Sequence, residues 1–251
     1  MDTQSTRKRA GGMNIRYSML DTYLQCPAKF KAVYLDQSVP HSDSNALRFG
    51  SALHLAFKTH FEEGDPYSVF NMYWDSIKGV NAGFERYSWE DLGEMAVKTF
   101  IPNFIKLHSK KIKNPVMEET IEAPFISKDH MLQGTFDLAC EYEGKLSILD
   151  YKTSAMEYKK DKILRNPQMY IYAYLYYYKY GVLPEQLVYK VFIKQDRRIQ
   201  TLKIDLTKAK LDAMMLNIET IAKDMLSRID NGQWFCNHNN PFCLTNEGCI
   251  K

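Results

Sequence analysis

The sequence predicts an α/β protein with a mixed central β-sheet flanked by helices, an N-terminal helical layer and a C-terminal cysteine-bearing tail. Three observations lead to that class. Apolar residues recur at helical spacing through the first third of the chain. After Pro115 the pattern turns into β-rich runs. A tyrosine-rich helical stretch then separates one group of strands from another.

Residues 1–12 carry Arg7, Lys8 and Arg9 but no apolar run of the kind a secretory signal needs, and read as a disordered basic tail. Residues 13–251 read as one domain: a helical part (13–114), an α/β core (115–230) and a cysteine tail (231–251). Over residues 17–34, Leu20, Tyr23, Leu24 and Phe30 fall near helical spacing, and Pro27 interrupts the run. Residues 44–61 repeat the pattern with Leu47, Ala52, Leu55 and Ala56 on one side. Two more helices are expected over 67–77 and 88–111, with a loop at 79–87 between them. Strands follow at 117–126, 130–142 and 145–151, the last two joined by Glu143-Gly144 as a hairpin turn. A helix over 167–180 leads to a second strand pair, 186–194 and 199–206, turned near Asp196-Arg197. Thr207 is placed to cap a helix that runs to about residue 230 and stops at Asn231-Gly232.

Of the 251 residues, 45% are hydrophobic and 25% charged, which excludes a disordered or fibrous chain. The net charge of +3 does not by itself demand nucleic acid, so any basic surface must come from local clustering. Five cysteines are too few for a disulfide-dense secreted scaffold, and three of them lie in the last sixteen residues. No stretch approaches the roughly 20 apolar residues of a membrane helix. A cytoplasmic protein with no membrane partner is the expectation.

The strongest chemical signal is Leu149-Asp150-Tyr151-Lys152-Thr153. Asp150 and Lys152 are two apart on a predicted strand and so share a face. Asp137 lies on the neighbouring strand of the hairpin, where pairing can bring it to the same sheet edge. Two carboxylates and the Tyr151 carbonyl suit a hard cation such as Mg²⁺ or Mn²⁺. A lysine beside that cation can orient water and steady charge on a phosphate. This is equipment for metal-assisted phosphodiester hydrolysis. Taken alone, Asp150 and Lys152 also fit an exposed strand pair. Glu119, on the first strand with Ile121, is a candidate additional acidic ligand or part of a solvated face.

Other motifs arrive in order. Ser18-x-Leu20-x-x-Tyr23-x-x-Cys26-Pro27-x-x-Phe30, Arg48-x-Gly50-x-x-x-His54, Gly134-x-x-Asp137, Asp150-x-Lys152-Thr153 and Gln168-x-x-x-Tyr172 together resemble the PD-(D/E)XK nuclease superfamily, RecB-type branch. The resemblance implies a restriction-endonuclease-like core. It makes His54, Asp137 and Asp150 metal ligands and Lys152 the catalytic lysine. It also sets Gln168 and Tyr172, on one helix face, toward the active site. Phe136 occupies the place of the nominal proline. The function implied is a Mg²⁺- or Mn²⁺-dependent deoxyribonuclease, an exonuclease acting on DNA ends or single strands in repair, recombination or phage DNA processing. The alternative is a catalytically silent DNA-end-binding subunit of a larger complex.

Cys26, Cys236, Cys243 and Cys249 can supply four thiolates to one centre, zinc or an iron–sulfur cluster, tying the tail to the N-terminal helices. The gaps are unlike the close cysteine pairs of a zinc ribbon. The resemblance implies a 4Fe–4S cluster in this layout, although six residues separate Cys236 from Cys243 where the branch usually has two. Cys140, inside a strand, reads as a core residue. Arg48, Lys159, Lys160 and Arg165 are candidate contacts to a phosphate backbone. The chain carries no ATP-binding G-x-x-x-x-G-K-[ST] loop, so a helicase or recombination partner would be a separate protein.

Overall fold

The computed structural model describes residues 12–39, 44–78 and 87–237. It opens with a strand of three residues, β1 (Asn14–Arg16), followed directly by α1 (Tyr17–Gln25). Cys26 ends that helix with an extended backbone, φ −164° and ψ 111°, because a residue before proline is steered away from the α region. Pro27 then starts α2 (Pro27–Phe30) in the first helical turn, where its missing N–H has no partner to lose. A wide turn at Lys31–Leu35 completes this segment.

Ser44 caps α3 (Asn45–Phe61) by accepting from the Leu47 N–H, and Asp65 caps α4 (Pro66–Ser76) by accepting from that of Tyr67. A capping box of Ser88 and Asp91 starts α5 (Trp89–Met95). The helical path continues through Ala96–Phe100, α6 (Ile101–Asn103), Phe104–His108 and a final tight turn at Ser109–Lys111. Pro102 lacks the N–H that an interior helical residue donates, and wide π-turns lie on both sides of it.

Three long strands follow: β2 (Ile112–Phe125), β3 (Ser127–Tyr142) and β4 (Lys145–Ser154). β2 starts earlier than its β-rich composition suggests, because Asn114 at φ +51° and a register shift between Lys113 and Val116 carry the strand past Pro115. Glu143 and Gly144, both at positive φ, make the tight turn between β3 and β4. A short helix that periodicity does not signal, α7 (Lys160–Leu164), precedes α8 (Pro167–Tyr180). The chain then forms β5 (Gln186–Ile193), β6 (Arg198–Asp205) and the long α9 (Lys208–Asn231), capped by Thr207 and stopped by Gly232 in the left-handed region.

The six strands form one mixed sheet in the order β1-β3-β4-β5-β6, with β2 also paired to β3. β1–β3 and β4–β5 are parallel; the other pairs are antiparallel. Two apolar clusters cover its two faces. One joins α1, α8 and α9 to Ile148, Leu187, Tyr189 and Val191. The other joins α3 to α6 to Leu149, Tyr151, Val188 and Phe192. β5 is buried along its whole length, as a central strand covered on both faces must be. The second cluster encloses an ionisable group. Lys190 is 0% exposed, and its Nζ lies within 3.0 Å of His108 Nδ1, Tyr142 Oη and Thr201 Oγ1. Cys140 is buried as expected, and burial pushes its thiol up to about 12.

β3 holds the geometry together. On one edge it pairs with β2. On the other it pairs first with β1, through Arg16 opposite Gln133, and then with β4 from Leu138 opposite Leu149. Residues 134–137 lie between these partners and form a notch in the sheet edge. At about 3.3 Å per residue the notch spans roughly 13 Å.

Candidate active site

Asp137 stands at the lip of this notch, where β3 and β4 part. Register would set it opposite Asp150, but the ladder between the strands ends one pair earlier, at Leu138 and Leu149. The Asp137 carboxylate takes over part of the missing pairing: its Oδ2 accepts from the Tyr151 N–H at 2.7 Å. On its β2 side the ladder skips as well, and Glu118, in line with Asp137, has φ +47°. A left-handed glutamate inside a strand is strained backbone of the kind that collects at functional sites.

His54 reaches the same point from α3. Its Nδ1 lies 3.3 Å from Asp137 Oδ1 and its Nε2 lies 2.9 Å from the Tyr151 carbonyl oxygen. Both partners are acceptors, so both ring nitrogens must carry protons and the ring is an imidazolium. Burial opposes that charge, but the Asp137 carboxylate outweighs it and raises the His54 pKa to about 9. Burial likewise pushes Asp137 upward, and the charge and hydrogen bond of His54 overcome it and hold the carboxyl below its ordinary value.

Asp150 and Lys152 project to the α8 side of the sheet, while the Tyr151 ring packs against Phe57, Phe104 and Phe192 on the α3 side. Asp150 is 1% exposed. Lys152 Nζ donates to Asp150 Oδ1 at 3.0 Å. The same ammonium lies 2.8 Å from Oδ2 without hydrogen-bond alignment, so Oδ2 is a buried oxygen with an ionic neighbour and no hydrogen bond. Burial, helped by Asp137, raises the Asp150 pKa against the pull of Lys152. Lys152 is itself held above its ordinary value: burial works against its charge, and Asp150 and Asp137 prevail.

The α8 helix closes the site on this side. Asn166 caps it, and Gln168 Nε2 donates to the Tyr172 hydroxyl at 2.8 Å. Burial, then the charges of Asp150 and Asp137, raise the Tyr172 hydroxyl far above its usual pKa. Gly134 lets this helix approach. A Cβ there would stand 2.9 Å from Leu175 Cδ1 and 3.0 Å from two ring carbons of Tyr172.

The structure therefore brings together His54, Asp137, Asp150, Tyr151, Lys152, Gln168 and Tyr172. It does not bring Glu119 to them. Glu119 lies opposite Phe136, and its carboxylate accepts from Lys179 and the Tyr180 hydroxyl at the far end of α8. The acid beside Asp137 is Glu118, which binds Lys58 at 2.8 Å, one helical turn beyond His54. Composition does not separate the neighbours Glu118 and Glu119; the register and the positive φ of Glu118 set Glu118 in line with Asp137. Arg48 is half-buried on α3, and Lys159 and Arg165 are exposed at the two ends of α7. Lys160 lines a separate cleft with Lys111, Glu143, Thr201 and Lys203.

The donor chemistry fits a hard divalent cation: the half-buried carboxylate of Asp137, the buried one of Asp150, a backbone carbonyl, and on Asp150 one buried oxygen without a hydrogen bond. Two positive side chains, His54 and Lys152, neutralise the carboxylates in this arrangement. For His54 to act as a ligand it must give up a proton and one of its two partners. Among the described residues no set of three His, Cys, Asp or Glu side chains already converges as a ligand shell.

Of the cysteines, Cys26 is buried as a reduced thiol, and Cys236 is half-buried and disulfide-bonded, so a cluster would take its sulfur only once that bond is reduced; Cys243 and Cys249 lie outside the described residues. The tail is pinned on either side of Cys236 to residues on either side of Cys26. The Ala28 N–H donates to the Phe235 carbonyl at 3.1 Å, and Asn237 Nδ2 donates to the Gln25 carbonyl at 3.2 Å. Trp234 stacks on Phe30 at 5.9 Å. No helix among the described residues is long and apolar enough to cross a membrane.

Comparison with known proteins bears on the fold and the family. A solved structure titled "Putative exonuclease", from Eubacterium rectale, superposes with a TM-score of 0.61 at 14% identity, covering 87% of this chain and 82% of its own. At that identity the likeness shows the fold alone. A structure titled SSO0001 aligns at a TM-score of 0.33 and 17% identity over 83% of this chain and 86% of its own, too loose a superposition to carry an argument. No curated protein matches. The description of the PD-(D/E)XK nuclease superfamily matches residues 15–250, which runs from within β1 through α9 and takes in both lips of the notch, and the chain belongs to that superfamily.

Proposed function

We propose that this chain is a metal-dependent DNA nuclease, an exonuclease that acts on DNA ends or single strands. The observation that carries the reading is the fork between β3 and β4, where Asp137 and buried Asp150 sit beside a lysine that stays charged. A Mg²⁺ or Mn²⁺ ion held by Asp137, Asp150 and the Tyr151 carbonyl would supply Lewis acidity and an activated water. The protein's own part is positioning and charge. The Lys152 ammonium, fixed by Asp150, faces the place where negative charge grows on a phosphate under attack. The Gln168–Tyr172 pair supports that wall from α8. His54 ties α3 to the Tyr151 carbonyl and so fixes the backbone between the two reactive side chains.

The test is degradation of end-labelled linear single-stranded and duplex DNA with Mn²⁺, comparing wild type with Lys152→Ala. Digestion by wild type alone supports the reading and gives substrate and polarity in one gel. DNA binding without digestion under any divalent ion would replace it with the end-binding subunit.

The docking of the tail around Cys26 and Cys236 supports a second part of the proposal: Cys26, Cys236, Cys243 and Cys249 hold a 4Fe–4S cluster. Protein purified without oxygen should contain about four iron atoms and four acid-labile sulfides per chain. Zinc in place of iron, or no metal, would overturn it.

A further inference from the structure

The notch has a second lip, and nothing in the chemistry above uses it. Arg16 ends β1 there, half-buried, with its Nε donating to Gln133 Oε1 at 2.5 Å. Gln133 is itself buried and passes the constraint on, its Nε2 donating to Glu122 at 2.6 Å. Asn14, on the same strand as Arg16, also donates to Glu122, at 3.4 Å. Side chains on three strands thus fix the guanidinium before any substrate arrives. Arg16 then lines a cleft of about 460 Å³ that it shares with Thr120, Gln133, Thr135, Glu118 and Asp137. The floor is polar: the hydroxyls of Thr120 and Thr135, both exposed, lie 2.7 Å apart. Glu118, the carboxylate in this cleft nearest Asp137 in register, is paired with Lys58, so its charge is answered from within the protein.

A cleft with a fixed guanidinium at one end, hydroxyls along its floor and the metal-site carboxylate Asp137 at the other is built for a phosphodiester chain. A guanidinium takes phosphate oxygens through paired N–H groups, and prior fixing of its orientation lowers the entropy lost on binding. We propose that Arg16 binds a backbone phosphate of the DNA strand a few nucleotides away from the one being cleaved, and that the cleft over Thr120 and Thr135 is the track between them. The inference rests on the nuclease reading and adds to it the path of the substrate.

The experiment is fluorescence anisotropy of a labelled oligothymidylate of about 20 nucleotides, with Ca²⁺ as the divalent ion, at a series of salt concentrations. It compares wild type, Arg16→Gln and Arg16→Lys, with cleavage kinetics in Mn²⁺ alongside. Glutamine keeps a donor for Gln133 but not the charge, so this variant should fold as wild type does, as checked by its thermal unfolding. Arg16→Gln should bind about tenfold more weakly. Its log–log salt slope should be shallower by about 0.7, the value for one lost phosphate contact on a single strand. Its KM should rise with kcat within about threefold. Arg16→Lys should keep the salt slope while losing part of the affinity. An Arg16→Gln protein with the affinity and slope of wild type would overturn the assignment while leaving the nuclease reading intact. If wild type neither binds nor cuts this oligonucleotide but digests duplex DNA, this inference of a single-strand track fails and the nuclease reading stands; if it acts on neither, both fail.

Discussion

Replacing Lys190 by methionine removes an ionisable amine from the centre of the sheet, and its effect on stability should depend on pH in a defined direction. Burial is the main influence on Lys190, the charge of Lys111 adds to it, and its pKa falls from 10.5 to about 7. Its partners allow this. Burial and the charge of Lys190 lower the pKa of His108 to about 4, so its ring is a neutral acceptor, while the hydroxyls of Tyr142 and Thr201 can donate or accept as needed. Between pH 7 and 10.5 the unfolded chain binds a proton that the folded chain does not. Stability therefore rises with pH through that window, by at most about 1.4 kcal/mol per pH unit. Below pH 7 the lysine is charged in both states and the full penalty, on the order of 5 kcal/mol, applies. Lys190→Met has no such proton. It also strips two hydroxyls of a partner, a cost that does not change across the window. The measurement is urea unfolding of both proteins at pH 7.5 and 9.5. The unfolding free energy of wild type minus that of the variant should grow by about 2–3 kcal/mol from the lower to the higher pH. A difference that stays flat would refute the reasoning and mean that the buried ammonium keeps its proton.

Other outcomes follow from the site. Asp150→Asn should lower cleavage by more than about 100-fold while leaving the protein as stable or more so, since it removes a desolvated charge from the interior; loss of both activity and fold would show that the carboxylate holds the strand in place. Gly134→Ala should destabilise by roughly 1–3 kcal/mol in urea unfolding, because its Cβ meets Leu175 and the Tyr172 ring, and it should lower cleavage through the displaced Tyr172. Glu119→Gln should leave the cleavage rate within about threefold and cost less than about 1 kcal/mol, because its exposed partners Lys179 and Tyr180 lie at the far end of α8; a severe loss of activity would return Glu119 to the metal site.

The long elements could be read from the sequence because periodicity and punctuation agree there. Ser44, Thr207 and Gly232 stand where the caps of α3 and α9 are found, and Glu143-Gly144 turns as its composition implies. β1 could not be read. Three residues carry no period, and the strand exists because β3 offers it an open edge. The early start of β2 was hidden by Asn114 and Pro115, which look like a loop and act as a bulge. The site divides in the same way. Asp137, Asp150 and Lys152 are local to one hairpin, so their spacing foretold their meeting. Choosing between Glu118 and Glu119 needs a backbone angle that composition does not encode, and Arg16 is brought near Asp137 only by the non-local pairing of β1 with β3.

Asp150 and Lys152 belong to the side of the sheet packed by α8 and α9, whereas His54 arrives from the side packed by α3, and the Tyr151 backbone is the hinge between them. Neither half of the core can assemble this constellation. A chain still emerging from the ribosome, with β4 made but α8 not yet synthesised, holds Asp137, Asp150 and Lys152 without the Gln168–Tyr172 pair that closes the site. A site built across two cores needs both of them, so a nick or partial unfolding on either side should silence cleavage before the rest of the fold is lost.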